Sequence, residues 1–371
     1  MRCLSIAFLL FAGLAVASAQ QTEPAQLLGS AINAQQRGDY ATAIQDYRAY
    51  LKAHPNDIEA KVNLGAALVH ENQFDAGIAM YKSALPAITE KTPILMNIAL
   101  AYYKKGDFQN AHDQFAALNH SRPNDVRFAI LLGDTDIHLK KSADAIALLE
   151  PMEPANAQNL DFEYVLGSAM VSGGRRRDGV DRLEKIAKAG NSADTYLLAG
   201  GTLIDLNEFG RASIDMDAAL RLNPHLPNIY SLAGAAHYKN GDIKIAEEDF
   251  RQALQVNPDN FDANLYLGAI LYKRRDMDNA KVYLERAVKI KPTDFMARYE
   301  SAMWKSTAGQ YEIAAHELEA LAKDDPAWLE PHLELATLYY KLHRPQDGAK
   351  ERAIVDQITA KQQSAGPKGT P

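Results

Sequence analysis

Thiol chemistry is almost missing from this chain. Its 371 residues contain one cysteine, Cys3, which excludes an internal disulfide and a thiolate cage for a metal. Aromatic residues are scarce at 8%, with two tryptophans, while alanine is abundant. That balance suits close-packed helices better than β-sandwiches. Positive charge is in deficit: 40 Lys and Arg stand against 47 Asp and Glu, a formal net charge of −7. Neither nucleic acid nor an anionic membrane is then expected as the main partner, because each demands a basic surface. Beyond residue 19 no apolar run is long enough to span a bilayer. The sequence also lacks GxxxxGK[ST], G-x-S-x-G and any GxGxxG following a strand pattern.

The one long apolar run lies at the front. "MRCLSIAFLLFAGLAVASA", residues 1–19, has a single positive charge at Arg2 and an apolar core from Ile6 to Val16. Ala17 and Ala19 supply the small residues that precede a cleavage point. This pattern predicts a secretory signal peptide, since so short a core does not cross a membrane. Cys3 precedes the apolar core, so it is not placed as a lipid anchor. Cleavage would leave a cysteine-free chain with the Arg2 charge removed, −8 instead of −7. The expected location is a bacterial periplasm or the exterior.

What the chain has in quantity is repetition. "YKNGDIKIAEEDFRQALQVNPDN" at 238–260 nearly restates "YKKGDFQNAHDQFAALNHSRPND" at 103–125. Pro55, Pro123, Pro224, Pro258, Pro292 and Pro326 set a 34-residue period. Ten units follow: 24–57, 58–91, 92–125, 126–159, 160–192, 193–226, 227–260, 261–294, 295–328 and 329–362, the fifth short by one residue. Every eighth position is Ala or Gly, from Ala31 through Gly234 to Ala336, and so is every twentieth, from Ala43 through Ala246 to Gly348. Only a fixed-period repeat explains both columns.

Each unit reads as two helices joined by a turn. In the seventh, Gly241 and Asp242 separate "NIYSLAGAAHYKN" from "IKIAEEDFRQALQV", whose Ile243, Ala246, Phe250, Ala253 and Leu254 share a face. Proline stops the second helix, and Asp57, Asp125, Asn260 and Asp294 are placed to cap the next. Small residues let two helices cross closely while bulky neighbours fill the grooves. One such hairpin leaves an apolar face open, so neighbours must stack.

With small residues at eight and twenty, Leu or an aromatic often at eleven and usually at twenty-four, Gly near fifteen and Pro at thirty-two, the chain resembles the tetratricopeptide repeat (TPR) family. "NIALAYYKKGDFQNAHDQF" in the third unit is close to the family's wording. The resemblance covers about 24–362. It departs where the closing proline becomes Thr89, Ala157, Asn191 and Ala360, and at the fourth position, which is never Trp. It implies an all-α solenoid, a right-handed superhelix of antiparallel hairpins over 20–363, with first helices lining a concave groove. Lys350, Glu351, Arg352, Asp356 and Lys361 suit a terminal helix whose outer side meets water, and 364–371 reads as a disordered tail.

Chemistry is thinly supported. His70-Glu71 and His316-Glu317 lack the second histidine of a zinc helix. Asp134 and Asp136 begin a calcium-like loop that does not continue. "GGRRRD" at 173–178 is the densest basic cluster and reads as a solvated turn or an anion cradle, with Lys140-Lys141 and Lys273-Arg274-Arg275 at equivalent turns. No cofactor, metal or catalytic residue is expected.

The resemblance directs attention to the positions that face inward in the family. The fifth is mostly apolar or aromatic, including Met96, Ile130, Tyr164, Leu197, Leu265, Tyr299 and Leu333. The ninth is small at Ala66, Ser168, Gly201, Ala235 and Ala269, and the second is acidic at Glu59, Asp161, Asp194, Asp262 and Glu330. An apolar floor with an acidic margin is expected, suited to a peptide with apolar anchors and some Lys or Arg. Two clusters stand out: Met96, Leu100 and Tyr103, and Met296, Tyr299 and Met303. Tyr-Lys pairs recur at Tyr103, Tyr238, Tyr272 and Tyr340 and serve either packing or ligand contact. The Lys–Asn pair by which some relatives hold a terminal carboxylate is missing. The expected function is therefore an exported, non-catalytic scaffold binding a protein or peptide in the groove. The alternative is an accessory subunit binding polysaccharide or cell-wall glycan through Tyr238 and Tyr272.

Overall fold

The computed structural model describes residues 23–364. The leader at 1–19 and all of the tail at 364–371 except Ser364 lie outside the described residues. The described elements are helical, and no strand occurs among the described residues. The chain divides into two compact units, one ending at Thr195 and the other beginning at Tyr196. The N-terminal unit holds α1 (Glu23–Gln36), α2 (Tyr40–Ala53), α3 (Ile58–His70), α4 (Phe74–Ala84), α5 (Thr92–Lys105) and α6 (Phe108–Ser121). It continues with α7 (Val126–His138), α8 (Ser142–Leu149), the single turn α9 (Glu153–Asn156), α10 (Leu160–Ser172) and α11 (Arg176–Gly190). The boundary falls inside α12 (Ala193–Asp205). The C-terminal unit holds α13 (Phe209–Leu222), α14 (Ile229–Asn240), α15 (Ile243–Val256), α16 (Phe261–Lys273), α17 (Met277–Ile290), α18 (Phe295–Thr307), α19 (Tyr311–Asp324), α20 (Leu329–Lys341) and α21 (Pro345–Ser364).

Sequence signals place the helix ends. α2, α6, α13, α15, α17 and α19 each stop two residues before Pro55, Pro123, Pro224, Pro258, Pro292 and Pro326. Asp57 accepts from the amide of Ala60 at 2.9 Å, Asp125 from Arg127 at 3.2 Å, Asn260 from Ala263 at 2.9 Å and Asp294 from Ala297 at 2.9 Å. All four expected caps form.

Hairpin turns share one backbone conformation. The fifteenth residue of every unit has positive φ: Gly38, Asn72, Gly106, Lys140, Gly174, Asn207, Gly241, Arg275, Gly309 and His343. Glycine takes this left-handed state freely and asparagine tolerates it. Lys140, Arg275 and His343 adopt it at a cost of about 1–2 kcal/mol each. Position in the turn, not residue type, dictates the geometry.

The two small columns face each other across each hairpin, and all twenty of their residues are buried. A Cβ on Gly179 would lie 2.7 Å from the carbonyl oxygen of Gly167, and one on Gly77 2.9 Å from that of Gly65. Onto the eighth position falls the large side chain of the twenty-fourth. Tyr81 covers Gly65, Leu149 covers Gly133, Leu183 covers Gly167 and Phe250 covers Gly234. Tyr47, Tyr81, Phe115, Leu183 and Phe250 are among the most completely buried large side chains. A large residue seated on a missing one is the packing unit of this fold.

Two hairpins break the pattern: α4 stops at Ala84 before a 3₁₀ turn at Leu85–Ala87 carrying Pro86, and the fourth hairpin departs further. α8 stops at Leu149, and a 3₁₀ turn at Glu150–Met152 carrying Pro151 leads into α9, which carries Pro154. Neither proline can donate the helical hydrogen bond. Arg182 of α11 ties this irregular stretch to the next hairpin, donating to Glu153 at 2.8 Å and to the buried Glu163 of α10. At the other end of the chain, Lys350, Arg352, Asp356 and Lys361 of α21 are exposed, whereas Glu351 turns inward to meet Nδ1 of His332 at 2.6 Å.

Candidate functional site

First helices pack on the first helices of neighbouring hairpins, α14 against α16 and α16 against α18, while second helices approach one another less closely. The first helices therefore form the inner layer of the stack. This closeness corrects the expected apolar floor. Leu100, Ile130 and Leu265 are buried, as are Val62 and Ser231 of the fifth column. Leu100 packs with Phe128, Leu131 and Leu132, and Ile130 with Phe162, Val165 and Leu166, all from following hairpins. The small ninth residues Ala66, Ser168 and Ala269 are likewise buried. What comes close to these three is protein, whereas Gly201 and Ala235 are half-buried and a Cβ on Gly201 would meet open space. Met96, Tyr103, Tyr164 and Leu197 remain half-buried.

The repeated tyrosines act as struts. Tyr238 accepts a hydrogen bond from Nζ of Lys273 at 3.0 Å. The Tyr272 hydroxyl meets Oγ1 of Thr307 at 3.0 Å. Tyr103 donates to Asp134 and lies 3.1 Å from Nε2 of His138, a ring stacked on Phe108. In each case the twelfth residue of one unit reaches the thirteenth of the next. Burial, reinforced by Asp134, pushes the Tyr103 phenol well above its ordinary range, so it is a fixed donor. These hydroxyls join neighbouring hairpins.

One inner surface does stay open. Met296 of α18 is 47% exposed, Leu333 of α20 43% and Tyr340 of α20 48%. Half-buried Tyr299 and Met303 lie beside them on α18. The Tyr299 ring sits 5.3 Å from Trp328, which is 5.9 Å from Phe295. Three carboxylates, Glu334, Glu300 and Glu330, act on Tyr299, and with burial as the largest cause they raise its phenol above the ordinary range. Glu330 belongs to the acidic column read from the sequence. Glu300 and Glu334 were missed, because they occupy the sixth position, outside the columns that face inward in the family. The available signal was their separation by one full period and the four-residue steps from Met296 and Glu330.

The tetratricopeptide repeat family profile matches residues 28–91, 96–159 and 232–295, together more than half of the chain. The chain belongs to the TPR family. Among curated proteins none matches it. Similar solved structures include YrrB, described as a TPR protein with an unusual peptide-binding site, at 24% identity over 47% of this chain and 91% of that one, with a TM-score of 0.40. Yeast Tom70 is similar at 14% identity over 93% and 97%, TM-score 0.36. The Cut9–Hcn1 hetero-tetramer of the APC/C is similar at 10% identity over 92% and 94%, TM-score 0.47.

In this TPR chain two arginines of the basic turns are paired with carboxylates. Arg175 pairs with Glu150 at 2.8 Å and with Asp178 at 3.0 Å. Arg274 pairs with Glu247, which also holds Arg251 at 2.9 Å. The "GGRRRD" cluster is thus partly committed to bridging TPR hairpins. Among the described residues, no helix of the TPR array is long and apolar enough to cross a membrane.

Proposed function

We propose that the protein is an exported, non-catalytic scaffold that docks a segment of a partner protein on the inner face of α18 and α20. The exposed Met296, Leu333 and Tyr340 carry this reading: Leu333 and Tyr340 are open at positions where the residues of earlier hairpins are buried or half-buried, and Met296 places a large apolar side chain in a column that is otherwise mostly polar and exposed. Apolar side chains beside partly buried aromatics are the usual anchors of a peptide interface. Of the inner residues first proposed as a site, Met296, Tyr299, Met303, Leu333 and Tyr340 remain as the docking platform. Export rests on the pattern of residues 1–19.

Expression of the full chain in a bacterial host, followed by panning of random twelve-residue peptides on the exported product, tests both parts. The exported protein should begin at Gln20. Selected peptides should bind the Met296→Ser, Leu333→Ser double variant at least about tenfold more weakly. Both side chains are exposed, so the fold should tolerate the change. Undiminished binding to the variant would remove the platform, and an uncleaved product held inside the cell would remove export.

A further inference from the structure

Glu300 is the least comfortable residue on this platform. It is only 9% exposed, yet it makes no hydrogen bond or ion pair with any described residue. A carboxylate set this deep without a protein partner is costly, yet its oxygens are not fully buried, so a ligand can reach them. On α18 it lies between Met296, Met303 and Thr307, four residues before and three and seven after it, on one side and Ala297 and Trp304, three before and four after it, on the other, at the border of the inner and core faces. It therefore borders the same inner surface as Met296 and Met303. Glu330 and Glu334, one turn apart on α20, also have no hydrogen-bond or ion-pair partner among the described residues.

Two cations lie near, and both are engaged elsewhere. Lys273 donates to Tyr238 at 3.0 Å and sits 5.6 Å from the centre of that ring. Lys341 sits 5.2 Å from the ring centre of Tyr311 on α19. Burial pushes the Glu300 and Glu334 carboxyls above the ordinary glutamate range, with Lys273 and Lys341 only partly opposing it.

We infer that Glu300, with Glu330 and Glu334, forms a subsite for the side chain of an arginine or lysine in the docked segment, next to an apolar contact at Met296 and Leu333. The inference rests on the docking reading above and names the chemistry of the occupant. A guanidinium fits best. It gives planar, charge-assisted hydrogen bonds to carboxylates and lies readily against aromatic faces such as those of Tyr299 and Trp328. The cation supplies the missing partner, and the segment's apolar side chain covers the exposed Met296 and Leu333.

The test uses the full mature chain and peptides selected from the random twelve-residue library. The selected set should carry Arg or Lys within a few residues of a large apolar side chain. Replacing that Arg by citrulline, which keeps its shape and removes its charge, should weaken binding at least about tenfold. Glu300→Gln with Glu334→Gln should do the same, and the two changes together should cost little more than either alone. Citrulline peptides need no protein variant, so a folding defect cannot imitate this result. Peptides without a basic residue, or with binding indifferent to citrulline and to the Gln variants but weakened by Met296→Ser, Leu333→Ser, would overturn the cation subsite and leave the docking reading standing. Failure to select any peptide, or binding indifferent to all of these changes, would overturn both.

Discussion

Phe250→Ala is expected to destabilise the C-terminal unit by about 3–5 kcal/mol, the range for deleting a buried aromatic ring. Phe250 is fully buried, and its ring lies against Gly234, where an added Cβ would come within 2.7 Å. The other face stacks on Tyr266 with centroids 5.5 Å apart. Ala246 and Ala253, on the same helix, are too short to refill the space. The cavity should therefore persist, which puts the cost toward the upper end. Repeat arrays lose structure locally, so hydrogen exchange of the α14 and α15 amides is the suitable readout. The Gly234→Ala, Phe250→Ala double variant should be more stable than Phe250→Ala alone, because the new methyl enters the vacated space. A loss below about 1 kcal/mol would mean that the eighth and twenty-fourth positions do not seat the hairpin.

Arg182→Met is expected to cost the N-terminal unit about 3 kcal/mol, the lower end for removing one member of a buried ion pair. The Arg182 side chain is 18% exposed and that of Glu163 7%. Methionine keeps much of the length but leaves the Glu163 carboxylate without its cation. It also releases Glu153, and with it the turn that replaces the end of a normal second helix between Leu149 and Asn156. The loss should appear in urea unfolding and be largely recovered by Glu163→Met in the same chain, since an apolar pair of similar volume serves a buried site as well. No loss in the single variant would show that water reaches the triad.

Much of the fold could be read from the sequence because hairpin packing is local. The small columns, the closing prolines and the four caps all act within a few residues or across one hairpin, and a 34-residue period displays them directly. The left-handed turn was only partly visible. Five of the ten turn residues are glycine, whereas Lys140, Arg275 and His343 give no hint of positive φ. The shortened α8 was hidden for a different reason: Pro151 and Pro154 lie inside a unit whose small columns are intact. The inner surface was the least legible. Whether a fifth-position side chain is open depends on how tightly one hairpin lies on the next, which periodicity does not encode. Leu265 and Leu333 hold the same position, yet one is buried and the other exposed. Glu300 and Glu334 occupy a column that reads Leu131, Val165, Leu198 and Leu232 in the middle units but Asn63 and Asn97 in earlier ones, so its polarity varies along the chain in a way that a consensus conceals.

Site-specific photocrosslinking tests the inner platform most directly. Met296 and Leu333 lie on the first helices of their hairpins, while Ile245 and Ile313, on second helices, are just as exposed, at 47% and 52%. Hydrophobic exposure alone would make all four sites equivalent. With a benzophenone side chain at each position in turn and a selected peptide present, crosslinks should form from 296 and 333 and be scarce from 245 and 313. Equal yields at all four, or crosslinks from the second helices only, would contradict docking on the inner face of α18 and α20.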